Sequence, residues 1–157
     1  MIRGYCGIGL VAPKYPSNIG GVLRAAACYA ATFVAIQDHQ SIISATDTPK
    51  YWKHSPVFRG DLKLIIPYKC VPIAIEITDK ARALPDFIHP ERAFYIFGPE
   101  NGSLDDSILN WCAHVIKIPT RICMNLAATV NVVLYDRMVK RMKGGEHGKN
   151  ISKLSIG

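Results

Sequence analysis

Apolar residues in this chain come in short runs separated by glycine, proline and polar punctuation. Cys6–Ala12 (CGIGLVA) is a continuous apolar run closed by Pro13 and Pro16, the pattern of a strand buried on both faces. Ser17-Asn18 then offers a helix cap, and residues 19–30 follow as a helix. Gly20, Gly21, Ala25, Ala26 and Ala27 keep one side of it thin, so that another backbone can come close. Thr32–Ile36 (TFVAI) reads as a second strand, 38–60 as a polar, irregular loop, and Asp61–Ile66 as one or two helical turns. Strands are predicted again at Val71–Ile77, Ala93–Phe97 and Val115–Ile118. Between the last two lies a short helix, Leu104–Cys112, with Asp105 and Asp106 in its first turn, where the helix dipole favours acids. A long helix runs from Asn125 to about Lys143, with Leu126, Val130, Val133 and Leu134 near helical spacing, and Gly144-Gly145 ends it.

Strands alternating with helices over short connections predict an α/β fold, a mostly parallel sheet with helices on both faces. No repeat, low-complexity block or linker divides the chain. The expectation is one domain over 1–143 and a basic, flexible tail over 144–157. The length of 157 residues, with 49% apolar and 20% charged, suits a single core. No apolar run reaches the roughly 18 residues of a membrane span, and Met1–Tyr5 lacks a signal-peptide pattern. A cytoplasmic location is expected.

Five cysteines, widely spaced and without a C-x-x-C pair, indicate neither a disulfide framework nor a metal site. The formal charge of +7 is concentrated late in the chain. Residues 137–157 carry Arg137, Lys140, Arg141, Lys143, Lys149 and Lys153 against the single acid Glu146. Such a stretch reads two ways, as the footprint of a polyanion or as a solvated terminus. Lys50-Tyr51-Trp52-Lys53-His54 mixes cations with aromatics in a loop. Aromatic faces stack bases and cations neutralise phosphates, so Lys50, Trp52 and Lys53 are candidate RNA contacts. The competing reading makes Trp52 a core anchor between solvated lysines.

Three distant segments carry the chemistry. Asn18-Ile19-Gly20-Gly21-Val22-Leu23-Arg24 combines a helix start with a guanidinium that can grip phosphate through two hydrogen bonds. Ile96-Phe97-Gly98-Pro99-Glu100-Asn101-Gly102-Ser103-Leu104 is a strand, a sharp turn and an acid. Ile118-Pro119 ends a strand, and Cys123-Met124-Asn125-Leu126 opens the last helix. In open α/β sheets, ligands bind at such strand ends.

Taken in this order, the segments resemble those of the TrmH/SpoU branch of the SPOUT superfamily, the knotted RNA methyltransferases. The second segment fits the family pattern F-G-x-E-x-x-G-L at Phe97, Gly98, Glu100 and Leu104, with the later glycine at Gly102 where position 103 is Ser103. In the third segment Cys123 stands where serine is usual. The resemblance covers about Gly7 to Arg141. It implies a C-terminal deep trefoil knot and S-adenosyl-L-methionine as methyl donor. The acceptor it implies is an RNA ribose 2′-hydroxyl, of tRNA sooner than rRNA, and the state a homodimer. Arg24 and Asn18 match the family's catalytic pair. Phe97, Gly98, Ile118, Cys123, Met124, Asn125 and Leu126, with Ile75 and Glu76, match its donor-binding positions, while the family's glutamate, here Glu100, is structural. Lys140 and Arg141 join the candidate RNA contacts. The alternatives are a fold-retaining RNA-binding protein without catalysis and a base-nitrogen methyltransferase. A dinucleotide oxidoreductase is discounted, because no G-x-G-x-x-G follows the first strand.

Overall fold

Alternation along each strand decides which layer a side chain joins. In β6 (Arg92–Phe97), Ala93, Tyr95 and Phe97 enter one core layer and Phe94 and Ile96 the other. In β1 (Tyr5–Val11), Cys6, Ile8 and Leu10 enter the first layer, which leaves Gly7 and Gly9 facing the second. A Cβ at Gly7 would overlap the ring of Phe33, and one at Gly9 would lie 2.9 Å from that of Phe94. Phe33 and Phe94, in the strands on either side, stack over the bare backbone with centroids 5.7 Å apart. Gly7→Ala would overpack this layer, at a cost of about 1–3 kcal/mol.

The computed structural model describes residues 4–38 and 50–144. Its remaining elements, in chain order, are α1 (Pro16–Cys28), β2 (Phe33–Gln37), a 3-10 turn (Tyr51–Lys53), β3 (Val57–Arg59) and α2 (Leu62–Ile65). Then come β4 (Val71–Ile75), β5 (Arg82–Ala83), a second 3-10 turn (Leu84–Asp86), β6, α3 (Asp106–Leu109), β7 (His114–Lys117) and α4 (Leu126–Gly144). All strand pairs are parallel, in the order β3-β2-β1-β6-β4-β7-β5. The expected parallel α/β sheet is present.

The first layer is covered by α1 and α4 side by side. A Cβ at Gly21 would lie 2.7 Å from that of Ala127, so the thin side of α1 is filled from within the chain. The second layer is closed by the one-turn helices α2 and α3, through Leu62 and Ile108, together with Leu104.

Several elements differ from the sequence reading. The cap of α1 is not Ser17-Asn18: Tyr15 holds the cap position, Pro16 opens the helix, and no side chain of the cap residue bonds to it. Pro fits there because its missing N–H is one that the helix leaves unpaired anyway. The stretch read as a loop over 38–60 contains β3, and β5 was not foreseen. Both are edge strands of two or three residues, too short to show a period. The expected strand to Ile77 stops at Ile75, where Glu76 turns its carboxylate back on the N–H of Ile77 at 3.0 Å. The helix expected over 104–112 shortens to a single turn. Residues 39–49 and 145–157 lie outside the described part, and with them Lys149, Lys153 and nearly all of the expected tail.

Candidate active site

The chain runs outward from β1 to β2 and β3, then returns to the far side of β1, where β6 is inserted beside it and β4 lies next. Such a reversal of strand order opens a crevice beyond the carboxyl ends of the strands. An open cleft lies beyond the ends of β4, β6 and β7, against the start of α4. Its wall comes from three stretches: Ile75–Ile77; Phe97, Gly98, Pro99, Glu100 and Gly102; and Lys117, Ile118, Thr120, Cys123, Met124, Leu126 and Thr129.

Eight of the nine donor-binding candidates line this cleft: Ile75, Glu76, Phe97, Gly98, Ile118, Cys123, Met124 and Leu126. Asn125 does not. Its side-chain oxygen accepts from the N–H of Ala128 at 2.8 Å, and its backbone oxygen takes Thr129 Oγ1 at 2.8 Å. Asn125 is the cap of α4, worth about 1 kcal/mol to that helix. The sequence reading missed Ile77, Lys117, Thr120 and Thr129, which no motif marks, and gave no role to Pro99 inside the second segment. It gave Glu100 no chemistry.

Gly98 faces the cleft, but its missing side chain matters on the other side. A Cβ there would lie 3.2 Å from Leu104 Cγ and 3.4 Å from Leu104 N. Gly102 closes the turn, its N–H donating to Pro99 O at 3.3 Å, and a Cβ on it would meet Pro99 Cγ at 3.2 Å. Leu104 N donates in turn to Glu76 Oε2 at 2.8 Å, which fixes the far end of the loop to β4.

Glu100 fixes the near end. Its carboxylate accepts from Lys14 N at 2.8 Å, Tyr15 N at 3.4 Å and Asn18 Nδ2 at 2.8 Å. Burial alone would raise this carboxyl, but the bonds from Lys14, Asn18 and Tyr15 outweigh it and hold the group below its ordinary value. Asn18, expected as a cap, is therefore tied to the cleft loop. Arg24 is exposed on α1 outside the cleft wall, and no hydrogen bond or ion pair joins it to another described residue. Lys117 is the one cation among the lining residues, and its Nζ donates to Thr78 O at 3.1 Å.

The candidate RNA contacts divide. In the turn Tyr51–Lys53, which packs against α1, Tyr51 reaches the core while Trp52 stays 41% exposed with Lys53 Nζ 5.8 Å from its ring centroid. The anchor is thus Tyr51, not Trp52. Lys50 is exposed beside them. The ammonium of Lys140 is already engaged: it pairs with Asp136 at 2.8 Å and donates to the carbonyl oxygens of Leu84 and Phe87. Arg137, counted with the basic stretch, is buried. Its guanidinium donates to Pro90 O at 2.7 Å, Glu91 O at 2.9 Å and the Tyr95 hydroxyl at 3.2 Å. The Asp136 carboxylate only accepts, so His89 Nε2–H donates to it at 2.8 Å, and Nδ1 of the neutral ring accepts the Tyr95 hydroxyl proton at 2.6 Å. Desolvation lowers the His89 pKa, with the Asp136 bond opposing it. Two of the six late cations, Arg137 and Lys140, therefore tie α4 to the sheet and to the segment before β6. Arg141 is half-buried on the same helix. Among the described residues no helix is long and apolar enough to cross a membrane, and no cluster of three or more His, Cys, Asp or Glu could hold a metal ion.

Solved structures share this fold at low identity. One is the SpoU methyltransferase AviRb from Streptomyces viridochromogenes, 18% identical over 91% of this chain and 62% of that one, with a TM-score of 0.79. It has also been solved in complex with the cofactor AdoMet. A structure from work on 2-OH methylation of C/U34 on tRNA is 22% identical, with 89% of this chain and 98% of that one covered and a TM-score of 0.76. The A. aeolicus TrmH/SpoU tRNA modifying enzyme is 13% identical over 92% and 79%, with a TM-score of 0.80. The chain thus spans somewhat under two thirds of AviRb but nearly all of the second protein. No curated protein matches it. The model of the SpoU rRNA Methylase family matches residues 6–135, a stretch that holds all three motif segments and the whole wall of the cleft, and the chain belongs to that family.

Proposed function

We propose that the protein is an S-adenosyl-L-methionine-dependent RNA methyltransferase acting on a ribose 2′-hydroxyl, with tRNA as the substrate class. One observation carries this reading. The two motif segments expected to bind the donor meet in one cleft, and the third, through Asn18, is hydrogen-bonded to the cleft's own loop. The AdoMet complex of AviRb and the tRNA 2-OH methylation structure support it.

The lining residues fit the donor. Ile75, Phe97, Ile118 and Leu126 offer apolar walls for a flat base. Lys117 would face the donor's carboxylate. The Glu76 carboxylate puts negative charge along a site for a sulfonium. When bound, the donor supplies a methyl group on that sulfonium. Arg24 would grip the RNA phosphate beside the target and stabilise negative charge growing on the ribose oxygen. A guanidinium does not give up its proton in proteins, so charge stabilisation is the role assigned to it rather than proton abstraction. Asn18 holds the start of α1 against the loop. Trp52, Lys50 and Lys53, packed beside α1, would receive an unpaired base and its phosphates.

A homodimer belongs to the same proposal, as the family resemblance implies. The thin side of α1 is no support for it, being filled by Ala127. Sedimentation should give about twice 17.3 kDa.

Titration of the protein with S-adenosylhomocysteine should show one site per chain. Mass spectrometry of RNA nucleosides from cells with and without the protein should show the loss of a 2′-O-methylated nucleotide. Binding of NAD in place of the donor product would overturn the donor site. Donor binding with no change in any RNA would favour the non-catalytic RNA-binding reading.

A further inference from the structure

Helix α1 begins without a cap of its own. Tyr15 makes no side-chain bond to it, Pro16 is its first residue, and no acid stands in its first turn. The positive end of a helix normally finds a nearby acceptor. Here the acceptor is Glu100, 85 residues from Tyr15, with bonds to Lys14 N, Tyr15 N and Asn18 Nδ2. The loop carrying Glu100 is clamped at its other end by the bond from Leu104 N to Glu76. Pro99, Gly102 and Glu100 itself form wall of the cleft. One short loop therefore has the donor cleft on its inner side and the helix bearing Asn18 and Arg24 on its outer side.

We propose that Glu100 is a positioning residue that couples occupancy of the cleft to the placement of α1. The proposal rests on the donor-site reading above and adds a linkage between the two halves of the site. A ligand that orders the loop from inside orders the Glu100 carboxylate, and with it the first turn of α1. By reciprocity, a partner that orders α1 tightens the cleft by the same factor. A purely structural glutamate would stabilise α1 equally whether or not the cleft is filled.

Hydrogen exchange of the full chain with and without S-adenosylhomocysteine separates the two. In the parent protein, saturation should slow exchange in the loop 98–104, at the start of α4, and across 14–20, the last by about five-fold or more, the lower end of typical coupling between sites. Glu100→Ala should keep ligand-dependent protection at 98–104 and at α4 while losing it over 14–20. Glu100→Gln, which keeps an acceptor oxygen without the charge, should restore part of it, and it serves as the test if the alanine variant does not fold. Protection over 14–20 that ignores the ligand in the parent, or that persists in both variants, overturns the coupling and leaves the donor site standing. Absence of any S-adenosylhomocysteine binding by the parent overturns the donor site and the coupling with it.

Discussion

The position of Gly98 yields a graded prediction. Two accounts of this glycine lead to different outcomes. If the residue must be bare so that a ligand can touch backbone, any side chain blocks binding and leaves the fold alone. The geometry points elsewhere, because its Cβ would lie 3.2 Å from Leu104 Cγ, on a residue only 4% exposed within the second core layer. For alanine, Leu104 must yield by a few tenths of an ångström. Overpacking of this kind should cost about 1 kcal/mol, equivalent to a fall in melting temperature of about 2–4 °C for a chain of this size. Affinity for S-adenosylhomocysteine should fall less than about ten-fold, or 1.4 kcal/mol. Gly98→Val adds two branches that cannot all be absorbed by Leu104. Moving Leu104 pulls on its bond to Glu76 in the cleft wall. That variant should lose about 2–3 kcal/mol of stability and more than about 100-fold in affinity, or roughly 2.7 kcal/mol. Thermal unfolding and isothermal titration measure both quantities on the same samples. Abolished binding in Gly98→Ala at an unchanged melting temperature would refute the packing account. Parental affinity in a folded Gly98→Val would refute the cleft as the donor site.

Arg24→Ala should reduce methyl transfer to unfractionated cellular RNA by about 100-fold to 1000-fold while S-adenosylhomocysteine still binds, and Arg24→Lys should recover little, since a point charge lacks the planar grip; parental turnover in a folded alanine variant would remove Arg24 from the mechanism. Stability should fall with acid because of His89, whose pKa is lowered in the fold by burial. The unfolded chain takes up that proton near pH 6.5 and the folded chain only at lower pH, so the contribution is complete above about 6.5 and shrinks as pH drops toward the folded value. Urea midpoints across that range should lose this component in His89→Gln; an identical pH slope in the variant counts against it. Truncation after Gly144 removes Lys149 and Lys153 and should flatten the salt dependence of RNA binding by about 1 to 2 in log–log slope, with donor affinity unchanged; an unaltered slope leaves those residues as a solvated terminus.

What could be read in the sequence follows from where the information is local. The central strands announce themselves because burial on both faces demands uninterrupted apolar runs, as at Cys6–Ala12 and Ala93–Phe97. The three strand-end segments were legible for the same reason, each beginning where such a run stops. β3 and β5 were not, because two or three exposed or half-buried residues at an edge carry no period. The cap of α1 was misassigned because its acceptor comes from Glu100, far along the chain. Lys117 and Thr129 joined the cleft only through the fold, as no motif surrounds them. The knot came from the resemblance alone, since hydrophobic patterning records which residues are buried and not how the chain is threaded.

The basic stretch, open in the sequence to two readings, has the most physical content. Counted by charge, residues 137–157 look like one surface for a polyanion, yet Arg137 and Lys140 point inward and bind the carbonyls of Pro90, Glu91, Leu84 and Phe87. Those carbonyls belong to the segment between β5 and β6, where Leu84 O also accepts from Phe87 N and Glu91 O from Tyr5 N, and the two cations add charged donors to them. Buried polar groups are costly unless paired, and these two long cationic side chains supply several donors each from α4. His89 and Asp136 complete the set, so the second half of α4 is fastened to the sheet by directional bonds as well as by packing. The first turn of the same helix, through Leu126 and Thr129, forms wall of the donor cleft. At about 1.5 Å per residue, the 19 residues of α4 span roughly 28 Å. One rigid rod thus holds the cleft in register with a polar anchor at its far end. The charges that resemble an RNA-binding tail in the sequence serve, in Arg137 and Lys140, to fasten the helix whose first turn walls the cleft.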